Sequence, residues 1–321
     1  MSQARGANAQ VIIQEETTFK TDPGSPDAQS IPFFSCGLQQ RRDQEQSQTL
    51  TGDRNPSKAL RGNTDVGGAL EVELQAYTGL LFKAALGDVA TTGADPYIHT
   101  FSIGDTLPSL MIEKGFGDID QYFKYNGCKV NSLSLSITAS GFQNCSFDFV
   151  GAKETTATSS FDSTPTDLGK QSFDGFAIAT IEEGGVAIGN VISIDSLTIS
   201  NDLDTDQYSI GGAGQRDELP EGLVSVTGTL TARFEDLTLY NKAVNDTESS
   251  LKIIYTLGTG VGSAGNEQIE FLIPELTFAP QSPAISGPKG IMVELPFIAY
   301  YGDGSEGSTL QITLKNTQAS I

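Results

Sequence analysis

The feature that most constrains this chain is a period of two. From 224 to 233, Val224, Val226, Gly228, Leu230 and Ala232 alternate with Ser225, Thr227, Thr229, Thr231 and Arg233. Leu70, Val72 and Leu74 alternate with Glu71, Glu73 and Gln75, and Leu133, Leu135 and Ile137 with Ser132, Ser134 and Ser136. Successive side chains of a strand point to opposite faces, so each stretch predicts a strand with one buried and one wetted face. Composition agrees: 35 glycines and recurring Ser and Thr suit strands joined by many turns. Further strands are expected at 31–34, 97–103, 107–113, 142–150, 251–257, 268–278, 291–301 and 310–314. Another is expected at 191–200, bulged near Asp195 because its apolar parity flips there. Helices are expected at only two places. One is 78–86, with Leu81, Ala84 and Ala85 as its apolar face and Gly87 as its stop; the other is 235–244.

The elements fall into two halves. Residues 1–29 read as a flexible N-terminal arm, and the polar stretch 37–67 as a long loop. A Ser/Thr-rich segment, 153–172, reads as a linker. That leaves 30–152 and 173–321 as two domains. Gly68-Ala69-Leu70-Glu71-Val72-Glu73-Leu74 before the first helix matches Gly228-Thr229-Leu230-Thr231-Ala232-Arg233-Phe234 before the second. Gly127-Cys128-Lys129-Val130 matches Gly287-Pro288-Lys289-Gly290, each before a long strand. The repeat rests on element order more than on identity.

Charge narrows the function classes. Forty acidic residues against 19 basic leave a formal charge of −21, spread along the chain. Solubility is one reading, and a surface that repels polyanions is the other. Phosphate-backbone binding needs clustered Lys and Arg and is disfavoured. The N-terminus is polar apart from Val11-Ile12-Ile13, so no secretion signal is visible, and no stretch approaches the length of a membrane helix. Cys36, Cys128 and Cys145 are odd in number and lack CxxC spacing, which disfavours a disulfide framework or a zinc site.

The motifs that might carry chemistry have plainer readings. Gly260-Val261-Gly262-Ser263-Ala264-Gly265 satisfies GxGxxG but precedes a strand, where a dinucleotide site needs a helix. Asp202, Asp204 and Asp206 form DxDxD, but Gln207 and Ala213 stand where a calcium loop needs Gly and Glu. His99, the only histidine, lies in an alternating strand and reads as a surface or interface residue. Carboxylate pairs are expected by chance among 40 acids. No catalytic residue, metal ligand or cofactor is expected. The segment 39–61 stands out, with Arg41, Arg42, Arg54, Lys58 and Arg61 in an otherwise acidic chain. It is either a solvated loop or an arm that docks on an acidic neighbour.

Three runs carry a family resemblance: Gly68 to Gly87, Phe101-Ser102-Ile103-Gly104-Asp105-Thr106-Leu107-Pro108-Ser109-Leu110, and Tyr125-Asn126-Gly127-Cys128-Lys129-Val130-Asn131-Ser132-Leu133. Over most of 31–151 the chain resembles the tail tube proteins of long, flexible-tailed phages. The second half carries the same layout less distinctly. The resemblance implies an all-β fold with one short helix per domain. It implies tandem β-sandwich tail-tube domains whose inner sheets close into a barrel on assembly, in stacked rings around a DNA channel. Partners would be further copies of the chain, a tape measure protein and DNA in the lumen without specific binding, and tail terminator and distal tail proteins. No membrane is involved. Synthesis and assembly would occur in the host cytoplasm, and the protein would reside in the virion tail. Glu71, Glu73, Gln75, Ser134, Ser136, Asp148, Thr227, Thr229 and Thr231 are then the candidates for lining the lumen. Arg41, Arg42, Arg54, Lys58 and Arg61 are the candidates for contact between rings. The duplication predicts a trimeric ring with pseudo-sixfold symmetry. The alternative is a distal tail or baseplate connector ring of the same virion, and a secreted β-sandwich adhesin is a more distant one.

Overall fold

The alternating stretches do pair as strands, in a computed structural model that describes residues 3–285, 287–302 and 306–321. The first half runs β1 (Ala9–Glu15), β2 (Gln29–Ser30), β3 (Ser35–Cys36), β4 (Gln39–Glu45) and β5 (Leu60–Glu73). Helix α1 (Gly79–Leu86) follows, then β6 (Gly87–Gly93), β7 (Tyr97–Ile103), β8 (Leu110–Phe116), β9 (Gln121–Thr138), β10 (Asn144–Gly151), β11 (Lys153–Ala157) and β12 (Thr166–Asp167). The second half runs β13 (Ile178–Glu183), β14 (Val186–Ala187), β15 (Val191–Ser200), β16 (Ser225–Arg233) and α2 (Thr238–Val244). It ends with β17 (Ser249–Thr256), β18 (Gln268–Phe278), β19 (Met292–Ala299) and β20 (Gln311–Asn316). The fold is all-β with two short helices, as expected.

Eight strands form a continuous antiparallel sheet in the order β4–β5–β10–β9–β15–β16–β19–β18. Two outer sheets complete the architecture. One runs β12–β2–β1–β8–β9–β11, the other β6–β7–β20–β18–β17–β13–β14. The long strands β9 and β18 each belong to the central sheet at one end and to an outer sheet at the other.

The pairing order repeats. In the first half, β4–β5–β10–β9 lie in the central sheet and β1–β8–β9–β11 in the other, with a helix after β5. In the second, β15–β16–β19–β18 lie in the central sheet and β13–β17–β18–β20 in the other, with a helix after β16. Chain order is the same in both. The match of Gly68–Leu74 with 228–234 puts β5 on β16, and Leu70 and Leu230 are both fully buried. Pairing through those strands sets Phe147-Asp148-Phe149 against Leu295-Pro296-Phe297. The second sequence match does not hold: Gly127 lies within β9, whose counterpart is β18, whereas 287–290 precede β19.

Phe82 of α1 plugs the space between layers. Its ring lies 6.0 Å from Phe101, 6.1 Å from Phe147 and 6.2 Å from Phe271, which come from β7, β10 and β18. Every α1 residue but Lys83 is buried, and Gly87 ends the helix at φ 102°. Helix α2 lies at the surface, with only Ala243 buried.

Four expectations are corrected. Residues 1–29 are not a free arm: β1 pairs with β8, and Val11, Ile12 and Ile13 are buried. The polar segment 37–67 is a β-hairpin of β4 and β5; β4 is exposed along its whole length and carries no apolar alternation to read. The segment 153–172 is not a loose linker. Strand β11 pairs with β9, and Ser160 and the Phe161 amide donate to Glu113 at 2.6 and 2.9 Å. His99 is fully buried, with hydrogen bonds to Thr91, Asn316 and the Gln318 carbonyl. The bulge in β15 lies at its expected place, a register shift between Asp195 and Thr198.

Candidate assembly surfaces

The alternation that buries one face of the central sheet leaves the other polar. Register aligns that face into rows. Glu71, Ser146, Ser134, Thr198, Thr227, Ile298 and Thr277 stand side by side across seven strands. A second row joins Asp148, Ser132, Ser200 and Ser225, and a third joins Ser193, Thr231 and Glu294. Neighbouring hydroxyls bond along a row, as Ser134 and Thr198 do at 3.2 Å. The charged members of these rows are Glu71, Asp148 and Glu294, and none is basic. Burial pushes the Asp148 carboxyl up, against the opposing effect of its bond from Asn131.

The structure divides the nine lumen candidates. Glu71 and Ser136 are exposed, and Ser134, Asp148, Thr227, Thr229 and Thr231 are half-buried on the polar face. Glu73 and Gln75 are not on it, being only 7% and 2% exposed. The cause is the chain at 170–173, which crosses the end of β5. Ala76 donates to the Gln171 carbonyl, and Phe173 to that of Leu74. Glu73 takes a 2.8 Å bond from Lys170 and another from Ser172. Alternation alone assigns these two outward, and only the tertiary crossing covers them. Conversely, Thr198 and Ser200 belong to the face although simple alternation along β15 does not put them there, because the bulge reverses its parity.

The five basic candidates lie on the hairpin. Arg41 and Arg42 sit in β4, Arg61 in β5, and Arg54 and Lys58 in the connection; all five are exposed. Arg42 is tied to the hairpin's own Thr64 at 2.6 Å. The other β4 residues are exposed as well, while the β5 arm packs against the loop 205–217: Thr64 is buried, its amide donates to the Gly214 carbonyl at 2.7 Å, and Arg216 pairs with Asp65 at 2.6 Å. Segment 39–61 holds five basic and three acidic residues, a net of +2 in a chain of −21.

The motifs set aside in the sequence stay outside this geometry. Gly260, Gly262 and Gly265 all take positive φ in the turn between β17 and β18. Among the described residues no group of three His, Cys, Asp or Glu is placed to hold a metal ion. Among them, too, no helix is long and apolar enough to cross a membrane.

The family model of the phage tail tube protein matches residues 6–299, nearly the whole chain. The chain belongs to that family. Phage tail tube proteins are structural and not enzymatic, so the chain is a tail component of the virion that self-assembles into a tube. The all-β fold agrees with that membership. No curated protein matches this tail tube chain.

Proposed function

We propose that three copies close into a ring, that rings stack into the tube, and that the polar face of the central sheet lines a negatively charged channel for DNA. The observation that carries this reading is the eight-stranded sheet made of two equivalent four-stranded sets. Strands lie about 4.8 Å apart and tilt by about 40° in closed barrels. Three chains give 24 strands and a backbone diameter of roughly 48 Å, or roughly 38 Å inside the side chains. A duplex about 20 Å wide passes, and so does a tape measure protein before ejection. One four-stranded set per chain would close three copies at roughly 24 Å, too narrow once side chains are counted.

The wall is Glu71, Ser134, Ser136, Asp148, Thr227, Thr229 and Thr231, with Ser132, Ser146, Thr198 and Ser200 beside them. Hydroxyls and scattered carboxylates give DNA nothing to hold. A basic wall would bind it through counterion release. The hairpin, with Arg41, Arg42, Arg54, Lys58 and Arg61, reaches the next ring, since stacked rings of like charge need local complementarity. Tail terminator and distal tail proteins would cap the two ends.

Negative-stain microscopy of the purified chain tests the reading. Long hollow filaments are expected. Isolated rings that never stack would favour the connector reading instead, and a persistent monomer would refute both.

A further inference from the structure

The two repeats meet inside one chain along β9 and β15. Ile137 faces Ile194, Leu135 faces Leu197, Ser134 faces Thr198 and Leu133 faces Ile199. Each partner has a counterpart at a free edge of the central sheet. Pairing through β5 and β16 maps Ser193 onto Ser35, Ile194 onto Cys36, Thr198 onto Gln39 and Ile199 onto Gln40. Leu197 then falls on Leu38, and both are fully buried. The register shift in β15 falls where β3 gives way to β4. A glycine lies opposite each break: a Cβ on Gly68 would strike the backbone of Gly37 and Leu38, while one on Gly228 would strike the Phe297 ring and meet Leu197 only at contact distance. So β3 and β4 together are the first repeat's β15.

At the opposite edge, Phe149 pairs with Val130, and its counterpart Phe297 pairs with Phe278. Strand β9 continues past Val130 to Thr138 and fills the place between β10 and β15. Strand β18 stops at Phe278, the Ala279 amide makes one last bond to the Pro296 carbonyl, and the counterpart of that continuation is the largely exposed run outside any strand from Pro280 to Ile285. Pro280 and Pro283 each remove a ladder donor, which keeps the run from pairing alone. Exposed apolar side chains collect at these two edges: Ile285, Met292, Ile298 and Tyr301 at one, Phe34 at the other. An open edge with apolar flanks is a template for pairing with another chain.

We infer that the joint between neighbouring copies reproduces the joint inside the chain, the β18–β19 edge and residues 279–285 of one copy lying along residues 35–41 of the next. This rests on the ring reading above and deepens it, since it names the two edges and makes the contact head-to-tail, which closes into a ring. It also gives the joint a built-in probe. Cys36 stands where Ile194 is fully buried against β9, yet it is partly exposed in the single chain, while Cys128 and Cys145 are buried. A thiol reagent reports on Cys36 alone in the folded subunit.

The test follows Cys36 modification by a dithiopyridine in subunits and in assembled filaments of the same preparation. Assembly is expected to slow it by about tenfold or more. Ala284→Cys and Ile285→Cys, introduced singly, supply the counterpart of Ile137, and one of them should form a disulfide ladder with Cys36 of the neighbour under mild oxidation. Filaments with unprotected Cys36, or with no crosslink from either variant, overturn this edge assignment and leave the tube standing. Protected, crosslinked rings that never stack support the joint and refute the tube. A chain that remains monomeric overturns both.

Discussion

Phe82→Ala tests whether α1 holds the layers together. The ring is fully buried and contacts Phe101, Phe147 and Phe271, so truncation opens a cavity between β7, β10 and β18 that three rings cannot collapse to fill. Truncating a buried Phe costs about 3–5 kcal/mol, and three lost aromatic contacts place this site near the upper end. With a urea slope of about 3 kcal/mol/M, the midpoint should fall by about 1.5 M. Phe82→Leu keeps most of the volume and should cost about 1–2 kcal/mol, or roughly 0.5 M. Urea titration of the subunit, followed by circular dichroism, reads both. A midpoint for Phe82→Ala within about 0.3 M of the parent would refute the plug. So would equal effects from Ala and Leu, because the reasoning depends on the cavity.

Other predictions concern pH, stacking and the channel wall. Burial holds His99 below its ordinary pKa of 6.5, so below that pH the unfolded chain binds a proton that the folded imidazole resists. Stability should therefore decline as pH falls from about 6.5 toward the lower folded pKa, and His99→Gln should flatten that part of a melting-temperature profile; an unchanged slope would count against it. Acid loss from Glu221, held low despite its burial by the Lys129 ammonium 2.6 Å away, belongs to a separate window below about pH 4.5 and should persist in the variant. Replacing 46–59 by a two-residue turn should leave folded subunits that form no filaments, and normal tubes from that deletion would rule out stacking through the hairpin. Thr229→Lys in the phage should slow DNA release, with the delay shrinking as salt rises, whereas unaltered kinetics would contradict a lumenal Thr229.

Much of the fold was legible because half-buried strands write their burial into alternate residues. Strands β7, β15 and β18 fall on their predicted spans, and the parity flip in 191–200 coincides with the bulge. What stayed hidden lacks that signature. Strand β4 is exposed on both faces and so reads as a loop. Strand β1 offers only Val11-Ile12-Ile13, an apolar run too short to separate from a tether. Helix α1 was expected to bury one face, and it buries nearly all its residues because layers close on it from both sides. The same limit applies to the polar face. Ser134, Ser136 and the three threonines of β16 lie where alternation puts them, but Glu73 and Gln75 disappear under residues 170–173, a crossing between parts of the chain about a hundred positions apart. The repeat was visible in element order, but its correct alignment needed the strand pairs.

Cryo-electron microscopy of the assembled filament tests the central claim most directly. The account predicts three chains per ring, 24 strands in one closed inner barrel, and Glu71, Ser134 and Thr227 facing a lumen roughly 38 Å across. Six chains per ring, or a lumen lined by any face other than that row, would contradict it.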